Sequence, residues 1–457
     1  MNINRQKNTK IGITFCWICC MLLIGRNAWG NTAVSTGYAG KYVKGTAAIN
    51  NLWSWMNRIK DPVVPAAAPN VIQQAGSLDS FFEALMLSDS SVINILHTGD
   101  SHLQAGFFPG AVADNLQQKF GNAGRGYVFP YNLAKTNGPS DYFWTSNIAF
   151  SSDRIVDRNL SQDVGPGGIM LKTNHQQFTL SYIPKGELAN GSIAGLELFL
   201  DVGEQDNEPS ITSNGLDAVV SPLLFEGAGS GLRRAGLVYN ENVNRVDLHF
   251  KFGSAGSVRF FGANIINGHN GILYSTVGIN GAQFLHYNNN KNTWIEQLLL
   301  LEPQLIILSL GTNEAYGFTN EEAVRVELEK AVQTIKTYAP RASILFTTPP
   351  SEVRMKRYVS VKRKYKGKVR YVRQVRYITN PYTVKVQSTI VNFCKENDYA
   401  FWDFYNIMKG NPKIKAGWSK DHIHFVASGY QEEGRLLAEA LEQAYENFKL
   451  QNANNNL

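Results

Sequence analysis

Cysteine is scarce, and its placement says more than its number. Of four cysteines, Cys16, Cys19 and Cys20 crowd the N-terminus and Cys394 stands alone in "TIVNFCKEND". Without the first 30 residues no intrachain disulfide is possible, and the apolar helical pattern around Cys394 marks it as a core residue rather than a reactive thiol. No apolar run has the length of a membrane span, since the stretch 11–24 falls short of the roughly 20 residues required. Arg5, Lys7 and Lys10 precede that stretch and Ala28-Trp29-Gly30 follows it as a small-x-small cleavage site. This is the pattern of an export signal, with an uncleaved anchor as the alternative. Clusters of Cys and His with ligand spacing are missing, which argues against zinc, and no internal repeat occurs. General basicity is missing too. The formal net charge of +7 includes the uncompensated Arg5, Lys7, Lys10 and Arg26, so the chain beyond residue 30 carries about +3. Residues 351–377 hold eleven Lys and Arg against one acid, Glu352, which leaves the remainder near −7. One basic element on an acidic body is not the footprint of a nucleic-acid binder.

What the sequence does have is a sizeable core. The 457 residues are 44% hydrophobic and 11% aromatic, enough for one large domain and a second module. "PVVPAAAP" reads as a stiff connector before the first amphipathic helix, "SLDSFFEALML". "SVINILHTG", "ILYSTVGING", "PQLIILSLG", "ASILFTTPP" and "YAFWDF" are apolar strands alternating with helical segments, the pattern of a parallel sheet covered on both faces. Capping boxes at Thr319-x-x-Glu322 and Ser428-x-x-Gln431 are expected to open two of the helices. Between these strands, "FTLSY", "LELFLDV" and "VDLHFKF" alternate apolar and polar residues with period two between Gly/Asn/Ser turns. Such runs predict an antiparallel sandwich inserted into an α/β domain.

Ligands of open α/β sheets bind outside the carboxyl ends of the strands. Four motifs fall at or near such ends: Ser101 in "LHTGDSHLQ", Gly281 in "GINGA", Asn313 in "SLGTNEA", and Asp421 with His424 in "WSKDHIHFVASGY". Each has an ordinary reading: Ser101 suits an N-cap as well as a nucleophile, Asn313 a turn, Gly281 backbone geometry, and Asp421-x-x-His424 a cap or half a metal site. Together they supply a serine activated by a histidine base, a carboxylate that orients the base, and N–H donors for an oxyanion.

Gly99-Asp100-Ser101, Gly281, Gly311-x-Asn313 and Asp421-x-x-His424, in this order, resemble the sequence blocks of the SGNH (GDSL-type) hydrolases. The resemblance implies a three-layer α/β fold, Ser101 as nucleophile, His424 as base, Asp421 as its partner, and an oxyanion hole from Ser101, Gly281 and Asn313. It implies no metal and no organic cofactor. His102 where the wider family has Leu, Glu314 in "GTNEA", the Gly-rich "GNAGRGY" and the β-rich insertion are similar to the peptidoglycan O-acetylesterase branch. That branch implies an exported enzyme that removes acetyl groups from the 6-hydroxyl of muramoyl residues in the periplasm, with a carbohydrate-binding-module-like β-domain. His102, Glu314 and Arg354 are candidates for contact with substrate. The division expected is a signal peptide at 1–30, a linker at 31–75, catalytic segments at 76–132 and 257–448, the β-rich domain at 133–256, and an Asn-rich disordered tail at 449–457. Polysaccharide O-acetyltransfer, an acetylxylan or other polysaccharide esterase, and a non-catalytic glycan-binding protein stay open as alternatives.

Within the second catalytic segment, residues 354–377 alternate Val and Tyr with Lys and Arg around Lys366-Gly367-Lys368. They read as a hairpin. It is either a solvated ribbon or a surface for an anionic partner such as peptidoglycan carboxylates or lipid phosphates.

Overall fold

The computed structural model describes residues 68–455 apart from 161, 187–192, 204–207, 226–227, 255, 317–319 and 366. The expected leader, most of the linker, the first three cysteines, Thr319 and the last two residues of the tail lie outside the described residues. Among those described, no helix is long and apolar enough to cross a membrane.

A six-stranded parallel sheet forms the base of the site, in the order Asn122–Gly124, Gly271–Gly278, Val92–Gly99, Leu305–Ser309, Ser343–Thr347 and Ala400–Trp402. Its strands are apolar on both faces because both faces are covered. Ile306 and Leu308 pack on one side with Leu328 and Ile335 of the helix Glu321–Tyr338 and Ile390 of the helix Thr383–Asn397. Leu305 and Ile307 pack on the other with Val112 and Leu116 of Phe107–Phe120 and with Leu437 and Leu441 of the last helix, Ala427–Asn455. This is the three-layer α/β arrangement, with alternate residues of one strand feeding opposite cores. His97 and Thr98 of the central strand are satisfied internally. His97 pairs through its two ring nitrogens with Tyr274 Oη and Ser309 Oγ, and Thr98 Oγ1 donates to Gln297.

Two antiparallel sheets pack beside this layer. A five-stranded one runs from Leu216–Asp217 through Val246–Phe252 and Gln177–Pro184 to Tyr142–Ser146. A seven-stranded one is built around Ile193–Asp201 and Val258–Ile266. Phe178 and Phe250 stack at 4.6 Å between ring centroids, and Phe260 meets Phe250 edge-on from the other sheet. The antiparallel pairing extends past the boundary expected at 256. Val258–Ile266 pairs with Ile193–Asp201, and Gly126–Val128 from the Gly-rich segment joins the same sheet, so parallel pairing resumes only at Gly271.

Two helix starts differ from the expected capping boxes. Asn320 caps Glu321–Tyr338, its side chain accepting the N–H groups of Glu322 and Ala323. Ser428 lies inside the last helix, which begins at Ala427.

Candidate active site

Strand register fixes where the site forms. Gly99 lies beside Gly278 on one side and Ser309 on the other, so three strands end at one level. Ser101, Gly281 and Asn313 follow within four residues of those ends. The two glycines allow the chain to turn there. A Cβ on Gly99 would lie 2.4 Å from Ser309 O, and one on Gly278 would lie 2.5 Å from Gln104 N, where the Ser101–Gln104 turn packs down. Gly281 turns through φ +83°, a conformation that other residues adopt with strain.

Asp100 caps the short turn. Its Oδ1 accepts His102 N–H at 2.9 Å and its Oδ2 accepts the Asn313 side-chain amide at 3.2 Å. Burial pushes its carboxyl up to about 8, with the nearby Glu314 carboxyl adding to the effect against the His102 N–H. Ser101 opens the turn, and its Oγ lies 2.9 Å from His424 Nε2. His424 Nδ1 lies 2.8 Å from Asp421 Oδ2. The loop between Trp418 and Phe425 is tied around Asp421, whose Oδ1 accepts the Ser419 hydroxyl and the N–H groups of Ile423 and His424. Partial burial alone would raise the Asp421 carboxyl. The Ser419, His424 and backbone hydrogen bonds outweigh it and hold Asp421 well below the usual carboxylate range. An ionised Asp421 makes Nδ1 the protonated nitrogen, which leaves Nε2 to accept the Ser101 hydroxyl proton. Three residues named from two motifs, with Ser101 and His424 separated by 323 positions in sequence, thus form one hydrogen-bonded chain.

The remaining candidates occupy different places. Gly281 N–H has no acceptor among the described residues and its Cα faces open space. Asn313 lies between Asp100 Oδ2 and Ala282 O, 3.2 and 3.0 Å from its amide nitrogen, so both amide hydrogens are engaged. His102 is buried rather than turned to the surface. Its Nδ1 meets Tyr430 Oη at 3.1 Å, and its ring lies 5.4 Å from that of His424. Burial first, then the His424 ring, pushes His102 down to about 3 against the pull of Asp421, so it is neutral. Glu314 points into the fold, where Oε1 accepts Phe284 N–H at the start of the helix Phe284–Asn289. Arg354 is exposed at the base of the basic ribbon, and its N–H bonds the His422 carbonyl, in the loop that carries Asp421 and His424, at 2.8 Å.

Two contributors carry no mark in the sequence. Gln104, three residues after Ser101, accepts Asn280 N–H at 2.6 Å and donates to Asn137 O, which fixes the segment that presents Gly281. Tyr430 supports His102 from the last helix.

Residues 250–432 match the GDSL-like lipase/acylhydrolase family. The matched stretch contains Gly281, Asn313, Asp421 and His424 and leaves out Ser101, which reaches the site through the central strand. Among solved structures, a peptidoglycan O-acetylesterase superposes over 82% of this chain and 97% of its own, at 22% identity and a TM-score of 0.64. The two share a fold, the SGNH-type α/β layer with added antiparallel sheets. A family two carbohydrate esterase from Cellvibrio japonicus (10% identity, 66% of this chain, 99% of its own) and a lipase/acylhydrolase from Enterococcus faecalis (14%, 38% and 77%) align at TM-scores of 0.28, too low to bear on the argument. No protein of curated description matches the chain. The GDSL-like match covers the second part of the chain, and the fold is of SGNH type.

Proposed function

We propose that this chain is an exported serine esterase that removes O-acetyl groups from a cell-wall glycan, peptidoglycan foremost, through an acetyl-enzyme. The hydrogen-bonded line Ser101–His424–Asp421 carries this reading. His424 Nε2 takes the Ser101 proton as Oγ bonds to the acetyl carbonyl carbon, and the carbonyl π electrons move onto oxygen. The N–H groups of Ser101 and Gly281 face that oxygen. Asn313 supplies a third donor by giving up its bond to Asp100. At neutral pH Asp100 is largely protonated, so the bond surrendered is of the weaker neutral kind. Collapse breaks the ester C–O bond, and the departing sugar oxygen takes the proton from His424. Water then repeats the sequence on the acetyl-enzyme, giving acetate and free Ser101.

The resemblance to the peptidoglycan O-acetylesterase branch and the export-type leader support the choice of substrate and compartment. The test is acetate release from O-acetylated peptidoglycan by wild type and Ser101→Ala, with acetylated xylan in parallel. Release from peptidoglycan that disappears in the variant supports the reading. Preference for xylan moves the substrate, transfer to an added sugar acceptor without free acetate makes the chain a transferase, and unchanged release by Ser101→Ala rejects the mechanism.

A further inference from the structure

The basic ribbon takes no part in this chemistry, yet it is fastened to it. Arg354–Tyr365 and Lys368–Thr379 pair residue for residue, twelve on each strand, in a two-stranded sheet of roughly 40 Å. Between 354 and 379 the sequence has eleven Lys and Arg and no acid, and no described ribbon residue forms an ion pair. The register sets Arg357 opposite Arg376 and Arg363 opposite Arg370 on one face. Like charges directly across a ladder are destabilising, and a two-stranded ribbon is marginal on its own. The free ribbon is therefore built against its own stability, which an anion bridging the arginine pairs would relieve. The opposite face carries Lys356, Lys362, Lys364 and Arg373 among the exposed Tyr358, Tyr371 and Tyr377, with Arg373 over the Tyr358 ring at 3.8 Å.

Cations run the full length of both faces. That distribution suits an extended polymer; a flat membrane would favour an apolar face or tip backed by charge. The base lies against the catalytic loops. Arg354 N–H bonds His422 O between Asp421 and His424, and Asn380, next after the ribbon, donates to Ala315 O two residues past Asn313. We propose that the ribbon binds a carboxylate-bearing glycan polymer and leads it into the site, a docking that rests on the esterase reading above for its purpose but not for its detection. Carboxylates along the polymer bridge the arginine pairs, and tyrosines lie against its sugar rings.

The experiment is co-sedimentation of the full-length protein with acetyl-free peptidoglycan sacculi, at low and high salt, beside sacculi whose carboxyl groups have been amidated. The quadruple variant Arg357→Gln, Arg363→Gln, Arg370→Gln, Arg376→Gln is expected to be retained about 16-fold less, as four exposed contacts of roughly twofold each compound. The matching Arg→Lys variant regains most of the retention, and turnover of a small aryl acetate is unchanged in both variants. Retention of wild type is expected to fall with salt and with amidation. Equal retention of the Gln variant, or indifference to amidation, overturns the proposal. So does stronger capture by phosphatidylglycerol vesicles or by single-stranded DNA than by sacculi. Loss of sedimentation in the Gln variant, together with absent aryl acetate turnover in wild type, keeps the docking and rejects the esterase reading.

Discussion

Replacing Asp100 by Asn isolates the cost of a carboxyl group buried under the site. Asp100 is 1% exposed, and its carboxyl is raised from an ordinary 3.8 to about 8, by burial first and by Glu314 second. The sign follows from linkage. The folded protein holds this proton more tightly than the unfolded chain, so the associated stability is fully present below pH 3.8 and is lost as pH rises toward 8. Each pH unit within that window costs about 1.4 kcal/mol. Between pH 5.5 and 8.5 the wild type should lose about 3 kcal/mol that Asp100→Asn does not. The substituted side chain retains an oxygen for His102 N–H but turns its NH₂ group toward the Asn313 amide, a donor against a donor. That penalty does not vary with pH. Glu314 and the buried Glu433 of the last helix feel the Asp100 charge, and its removal eases their ionisation, which flattens the variant's profile in the same direction. Urea unfolding of both proteins at pH 5.5, 7.0 and 8.5 is the assay. Profiles that run parallel across this range would refute a buried, largely protonated Asp100.

Two further outcomes test other parts of the structure. Asn313→Ala should lower kcat for ester hydrolysis by about 10²–10³ with smaller change in KM, the loss expected for one oxyanion donor; steady-state kinetics on an aryl acetate would expose an unchanged kcat, which would remove Asn313 from the hole. Phe250→Ala takes out a ring stacked on Phe178 and meeting Phe260 in the interior of the sandwich, and should cost about 3–5 kcal/mol by urea denaturation.

The parallel sheet was legible because Leu305–Ser309 and Ser343–Thr347 are apolar throughout, which requires cover on both faces. The end of the antiparallel region was not. Val258–Ile266 is buried almost without interruption, and a sandwich strand covered on both sides reads like a parallel one. Gly126–Val128 is too short and glycine-rich to carry a period at all. In the site, Ser101, Asp421 and His424 could be named because each sits in a motif at a strand end or in a loop. The inward turn of His102 and Glu314 depends on what packs above them, Tyr430 in one case and the Phe284 N–H in the other. Burial of a polar side chain is a tertiary outcome that local pattern does not encode. Asp100 illustrates this most sharply: its position within "GDSH" was plain, and its protonation was not.

The place of Val92–Gly99 between Gly271–Gly278 and Leu305–Ser309 has a consequence for how the molecule is assembled. The strand that delivers Ser101 is the middle plank of the sheet, and the antiparallel region separates it in the chain from both neighbours. Pairing it means closing a loop of about 170 residues or more, a slow step for a folding chain. A fragment beginning at residue 250 would contain the stretch that matches the GDSL-like family, yet would leave the edges of Gly271–Gly278 and Leu305–Ser309 unpaired where that plank belongs. Such a piece would hold the acid and the base, lack the serine, and expose two edges open to aggregation. Ser101 reaches its place in the same pairing that completes the sheet.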